Sequence, residues 1–85
     1  MVLSDDVYEF LTFDNSEFVP FSTIGSNFNR TITTYSGGKL FNATGFKVGW
    51  ATGPEHLLKP VGVMTNVVVY CANTPIQAAI AKSLD

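Results

Sequence analysis

The chain has 85 residues, 46% of them hydrophobic and 14% charged, with a net charge of −2 and five scattered basic residues. That balance leaves no cationic footprint for nucleic acid or an anionic membrane, and the apolar content argues against disorder. A chain this short buries only about 60% of the surface it exposes when unfolded. So apolar a composition therefore predicts surface that further polypeptide or an oligomeric partner covers.

Met1 to Ser4 reads as the end of a buried strand running into Asp5-Asp6-Val7-Tyr8. Polar groups at the carboxyl end of a strand are where open α/β sheets place their ligands. Asp6 is expected in a solvated turn facing water, whereas Asp5 and Tyr8, three residues apart, suit a shared cavity. Asp14-Asn15-Ser16 is a turn signal, and Ser22-Thr23-Ile24 a short helical turn closed by Gly25. Ser26 to Asn29 reads as loop, and the β-branched run Arg30 to Tyr35 as a second strand that delivers Ser36 and Lys39 at its carboxyl end.

Phe46 to Ala51 alternates as a third strand, stopped by Thr52-Gly53-Pro54, with Thr52 or Gly53 expected to cap a helix whose first position is Pro54. That helix, Glu55 to about Tyr70, contains Pro60 and Gly62, which predict a kink or break near Lys59-Pro60. Asn73-Thr74-Pro75 repeats the cap signal before a helix from Ile76 to Leu84, cut off at Asp85. Three strands alternating with helical stretches describe part of an α/β layer. The single Cys71 excludes an intrachain disulfide and fits a reducing compartment. Two Asn-X-Thr sequences, at Asn29 and Asn42, have no secretory context to support them.

Ser36 to Trp50 is the stretch around which the chain is organised, with four glycines and two lysines among small and aromatic residues. Glycines pack nothing but let backbone approach a ligand. A nucleotide phosphate loop is excluded, because Thr33 and Leu40 stand where it needs Gly and Ser or Thr. One His and one Cys, His56 and Cys71, make neither a metal site nor a hydrolytic triad. Asp5, Tyr8, Ser36, Lys39 and Lys47 remain. A lysine that bonds pyridoxal 5'-phosphate as a Schiff base needs an acid at the pyridine nitrogen and donors for the phosphate. Ser36, the Gly37-Gly38 backbone and Lys47 supply such donors, and Asp5 is the carboxylate of the set.

These residues resemble the fold-type I, pyridoxal-phosphate-dependent aminotransferases of class I/II. Within them they look most like the kynurenine aminotransferase, glutamine transaminase K and cysteine-S-conjugate β-lyase group. Ser4-Asp5-Asp6-Val7-Tyr8-Glu9 is similar to that group's Ser-Asp-Glu-Val-Tyr-Glu, and the interval from Asp5 to Lys39 is the family's. Ser36 to Lys39 with Ala43 to Trp50 is similar to the cofactor-attachment segment. The likeness runs on through Gly53 to Leu57 and Thr74 to Ala79. Lys47 stands where many members have arginine, Gly37 where alanine is usual, and Pro60 and Gly62 interrupt an expected helix.

The resemblance implies that Lys39 is the catalytic lysine, bonding the cofactor and then shuttling a proton. It implies that Asp5 pairs with the pyridinium nitrogen and Tyr8 with the phenolic oxygen, that Ser36 and Lys47 bind the phosphate, and that Tyr70 lies at the substrate pocket. It also implies a fold, a slice of the large domain of such an enzyme (α/β, mixed-sheet strands with flanking helices), with residues 1–85 truncated at both ends. The complete enzyme is then expected to be a cytoplasmic or mitochondrial homodimer acting on amino acid and 2-oxo acid substrates, kynurenine- or glutamine-like, with no metal, nucleic acid or membrane partner. A carbon–sulfur β-lyase is the alternative, and a truncated non-catalytic product with an interaction role a third possibility. The 85-residue chain alone is expected to be inactive.

Overall fold

In the computed structural model, which describes residues 1–84, three strands form one mixed sheet in the order β1-β2-β3. Strand β1 (Val2–Asp5) runs parallel to β2 (Thr31–Ser36), pairing Val2 with Thr31 and Asp5 with Thr34. Strand β3 (Gly49–Thr52) is antiparallel to β2 and pairs Ser36 with Gly49 and Tyr35 with Trp50, whose rings stack at 5.8 Å. The parallel pair aligns the carboxyl ends of β1 and β2, so Asp5 and Ser36 finish at one edge of the sheet.

The connection between β1 and β2 holds two 3-10 turns, Phe21–Thr23 and Asn27–Arg30. The second lies where a loop was expected, and side chains explain it: Arg30 Nε donates to Asn27 Oδ1 at 2.9 Å and Thr31 Oγ1 to the Asn27 carbonyl at 2.7 Å. The turn at Asp14-Asn15 is present, both residues having positive φ, with the Ser16 N–H bonded to the Phe13 carbonyl.

The third strand begins three residues later than its alternation predicts. Thr44–Phe46 is a 3-10 turn and Lys47 takes a left-handed conformation at φ 55°, which an extended strand cannot accommodate. Gly49 opens the strand where a Cβ would lie 2.6 Å from the Tyr35 carbonyl oxygen, so only glycine fits.

Helix α1 (Gly37–Leu40) follows β2 directly, turning the expected glycine-rich loop into a single helical turn. Helix α2 (Glu55–Val68) is continuous through Pro60, so the expected break does not occur. Proline there removes one donor, leaving free the carbonyl of His56, an exposed residue that water can satisfy. Pro54 is the N-cap of α2 rather than its first helical residue, and its carbonyl takes the N–H groups of Leu57 and Leu58. Helix α3 (Thr74–Ser83) begins two residues before the expected Ile76, with the expected cap at Asn73, whose Oδ1 accepts from the Ile76 N–H at 3.1 Å. The expected truncation of this helix at Asp85 lies outside the described residues.

The buried apolar residues are Ile32 and Val48, with Thr31 and Thr33 beside them. Strand β1 was expected to be buried, yet Leu3 is 70% exposed. The chain presents 6430 Å² to solvent, where a compact monomer of its mass presents about 4,900 Å². Its radius of gyration is 14.1 Å against about 12 Å for a compact domain of this length. Helix α2 contributes much of the excess through Val61, Val63, Met64, Val67 and Val68. The isolated 85-residue chain is accordingly expected to bind a hydrophobic dye and to melt without a cooperative near-ultraviolet circular dichroism transition. A sharp, dye-free, monomeric melt contradicts this. Among the described residues no helix is long and apolar enough to cross a membrane.

Candidate functional site

The parallel register determines which side chains share a face. Successive strand residues alternate, and residues paired across parallel strands point the same way, so Asp5, Thr34 and Ser36 lie on one face of the sheet. Thr34 Oγ1 lies 3.3 Å from both Asp5 Oδ1 and the Ser4 carbonyl, and so ties Asp5 to the neighbouring strand. Sequence reading missed Thr34, because its role depends on a register that no local pattern discloses.

Asp6 is the clearest correction. It is 8% exposed, not solvated: its N–H continues the ladder to the Thr34 carbonyl at 3.0 Å, and its Oδ1 accepts from Ser4 Oγ at 2.6 Å. The Ser-x-Asp spacing was the available signal. This anchoring fixes the chain immediately after Asp5 and leads it into the turn that carries Tyr8.

Ser36 caps α1, its Oγ accepting from the Lys39 N–H at 3.3 Å. A hydroxyl that accepts this bond keeps its own proton to donate elsewhere. Ser36, Lys39 and Lys47 border one cleft of about 340 Å³, and Lys39 also borders a second, of about 290 Å³, with Tyr8, Phe10 and Leu11. Lys39 and Lys47 are exposed, as is Tyr8 at 59%. Lys39 therefore stands between a polar, doubly cationic cleft and a more apolar one that holds a phenol. Asp5 borders neither cleft but lies on the Ser36 face at the same edge.

Tyr70 does not join this group. It follows α2 at φ 70°, is 80% exposed, and borders neither Lys39 cleft. Among the described residues no three His, Cys, Asp or Glu side chains gather as a metal site.

The donor set fits pyridoxal phosphate. The Lys47 amine and the Ser36 hydroxyl match a phosphate monoester in charge and donor chemistry, and the Lys39 amine on the same cleft is left for the aldehyde. Gly37 and Gly38 let neighbouring elements close in beside that cleft, since a Cβ at Gly37 would lie 2.5 Å from Ile80 Cδ1 and one at Gly38 2.8 Å from Thr44 Cα. A carboxylate on the same sheet face suits a protonated ring nitrogen.

Comparison with known proteins identifies the family. The sequence profile of the family "Aminotransferase class I and II" matches residues 1–85. The chain belongs to this family. The aminotransferase segment is 40% identical over its whole length to a probable N-succinyldiaminopimelate aminotransferase of Mycobacterium tuberculosis, of which it spans 21%. It is 42% identical over 84 residues to a kynurenine–oxoglutarate transaminase of Dictyostelium discoideum, covering 99% of this chain and 19% of that one. The solved structure of the N-succinyldiaminopimelate aminotransferase from Mycobacterium tuberculosis superimposes with a TM-score of 0.93 at 40% identity, over 98% of this chain and 22% of that one. The segment thus spans about one fifth of the length of these relatives, and its mixed sheet with flanking helices is a fold found within an aminotransferase.

Proposed function

We propose that the complete protein containing this segment is a pyridoxal-phosphate-dependent aminotransferase that moves an amino group from a kynurenine- or glutamine-like amino acid to a 2-oxo acid. The observation that carries this reading is the placement of Lys39, Ser36 and Lys47 on one cleft at the sheet edge where Asp5 ends β1. The segment forms part of the large, cofactor-binding domain.

Bound pyridoxal phosphate supplies an electron sink for the charge left at a substrate carbon when its proton is removed. Lys39 Nζ would hold the cofactor by its aldehyde carbon and, when free, would carry the proton that leaves the substrate Cα. The Asp5 carboxylate, steadied by Thr34 through the 3.3 Å contact, would pair with the ring nitrogen. The Tyr8 hydroxyl would donate a hydrogen bond to the ring oxygen, from the cleft it shares with Lys39. Ser36 Oγ and Lys47 Nζ would donate to phosphate oxygens. The left-handed Lys47 fits such a role, since uncommon backbone conformations gather at ligand sites. Lys47→Gln is expected to weaken pyridoxal phosphate binding by about 10- to 100-fold, the worth of a hydrogen bond to a charged group. Fluorescence titration of the apoprotein measures it, and unchanged affinity removes Lys47 from the phosphate site.

Tyr70 acts on substrate only where a second copy of the chain or the rest of the polypeptide brings a pocket to it. The exposed apolar face of α2 supports burial in a homodimer, and the exposed thiol of Cys71 supports a reducing location, cytoplasmic or mitochondrial. The 40% identity to a probable N-succinyldiaminopimelate aminotransferase favours a second reading in which that compound is the donor. Assay of the complete protein with kynurenine, glutamine and N-succinyldiaminopimelate separates the two. Turnover of either of the first two supports the first reading, turnover of the third alone supports the second, and transfer from none overturns both. Pyruvate release from a cysteine S-conjugate without amino transfer identifies the β-lyase.

A further inference from the structure

Resting on the phosphate-binding role given above to Ser36 and Lys47, we propose that Gly38 is a positioning residue whose missing side chain sets the separation of Lys39 from Lys47. The two lysines belong to different turns, Lys39 to α1 and Lys47 to the cap of the Thr44–Phe46 turn. These turns meet at Gly38. The Gly38 carbonyl accepts from the Ala43 N–H at 2.8 Å and from Thr44 Oγ1 at 3.4 Å, drawing the second turn onto the first. A Cβ on Gly38 would lie 2.8 Å from Thr44 Cα and 3.3 Å from the Ala43 carbonyl oxygen and the Thr44 nitrogen.

Contact between carbon atoms is most favourable at about 3.5–4.0 Å, so a methyl group at Gly38 displaces Thr44 by up to about 1 Å. The atoms in the way are backbone and cannot swing aside as a side-chain tip can. Thr44 in turn fixes Lys47, whose N–H donates to the Thr44 carbonyl at 3.3 Å. Displacement at Gly38 therefore reaches the second cation of the cleft while Lys39, the next residue, stays on α1.

Conformation is not the reason for glycine here, since Gly25 and Gly53 are the glycines with positive φ. Gly45 supplies the contrast. It lies in the same segment, without positive φ, and a Cβ there would meet nothing within 4 Å. Of these two glycines, one is required by close approach and the other is not.

The test compares binding of pyridoxal phosphate with that of pyridoxal, which lacks the phosphate, to the complete apoprotein and its variants. In the unaltered protein, equal affinity for the two ligands removes the phosphate-binding role itself, independently of Gly38. Gly38→Ala is expected to lower the preference for the phosphorylated ligand by about tenfold or more, the worth of a hydrogen bond to a charged group. Its affinity for pyridoxal is expected to stay within about twofold, and Gly45→Ala to leave both affinities unchanged. A preserved preference in folded Gly38→Ala overturns the inference, as does an equal loss for both ligands. Should Gly38→Ala not fold, Thr44→Val removes the hydroxyl bond to the Gly38 carbonyl and leaves the backbone contact. It is expected to lower the preference by about threefold, the worth of an ordinary hydrogen bond, and an unchanged preference overturns the inference equally.

Discussion

Lys39→Ala in the complete protein is expected to abolish covalent retention of pyridoxal phosphate and to lower amino transfer by at least about 10²–10⁴-fold, the range that general acid–base catalysis supplies. The loss should fall on kcat more than on cofactor affinity. Ser36, Lys47 and Asp5 would still bind the phosphate and the ring, and what disappears is the amine that holds the aldehyde carbon and moves the proton at Cα. Lys39→Arg should not restore the rate, because a guanidinium stays protonated at working pH and serves neither as nucleophile nor as base. Stopped-flow measurement of substrate Cα deuterium release gives the check: if Lys39→Ala releases deuterium at the unaltered rate, Lys39 is not the proton carrier.

Asp5→Asn is expected to lower kcat by about 10²–10³-fold, the usual effect of losing one preorganised electrostatic partner. The substitution keeps the shape, and an asparagine oxygen can still accept from Thr34 Oγ1, so the end of β1 should remain in place. What is lost is the negative charge that keeps a proton on the ring nitrogen. Fluorescence titration should also show weaker binding of pyridoxal phosphate, since the ring loses its charged partner. Unchanged kcat together with unchanged cofactor affinity places Asp5 outside the ring's reach.

Three of the candidate site residues could be singled out in the sequence because a glycine-rich run with two cations is poor packing material, and their roles came from a resemblance. Lys39 between Gly38 and Leu40, with a hydroxyl three before it and a second cation eight after it, is poor core material, and the structure brings Ser36, Lys39 and Lys47 to one cleft. The first two strands were legible from β-branched and apolar runs. What bounds the third strand was not: Phe46-Lys47-Val48 alternates like a strand, but a 3-10 turn and the left-handed Lys47 hold it out of the sheet. Propensity at Pro60 also misled, since the helix loses a single bond whose orphaned carbonyl belongs to an exposed residue.

Asp6 shows the limit most plainly. Beside Asp5 it looks like the more solvated of two similar carboxylates, yet pairing with Thr34 and Ser4 buries it. The Thr34 partner depends on how β1 docks on β2, a register that a single sequence does not state, whereas Ser4 stands only two residues away. Tyr70 illustrates the converse: a likeness assigns it to a substrate pocket, while one copy of the chain leaves it in solvent.

The central claim, that Lys39 is the residue on which the cofactor is carried, is tested most directly by borohydride reduction of the complete protein loaded with pyridoxal phosphate, followed by peptide mass mapping. A reduced pyridoxyl group on the peptide bearing Lys39, absent from those bearing Lys47, Lys59 and Lys82, is the predicted result. Modification at Lys47 or at another lysine, with Lys39 unmodified, contradicts it.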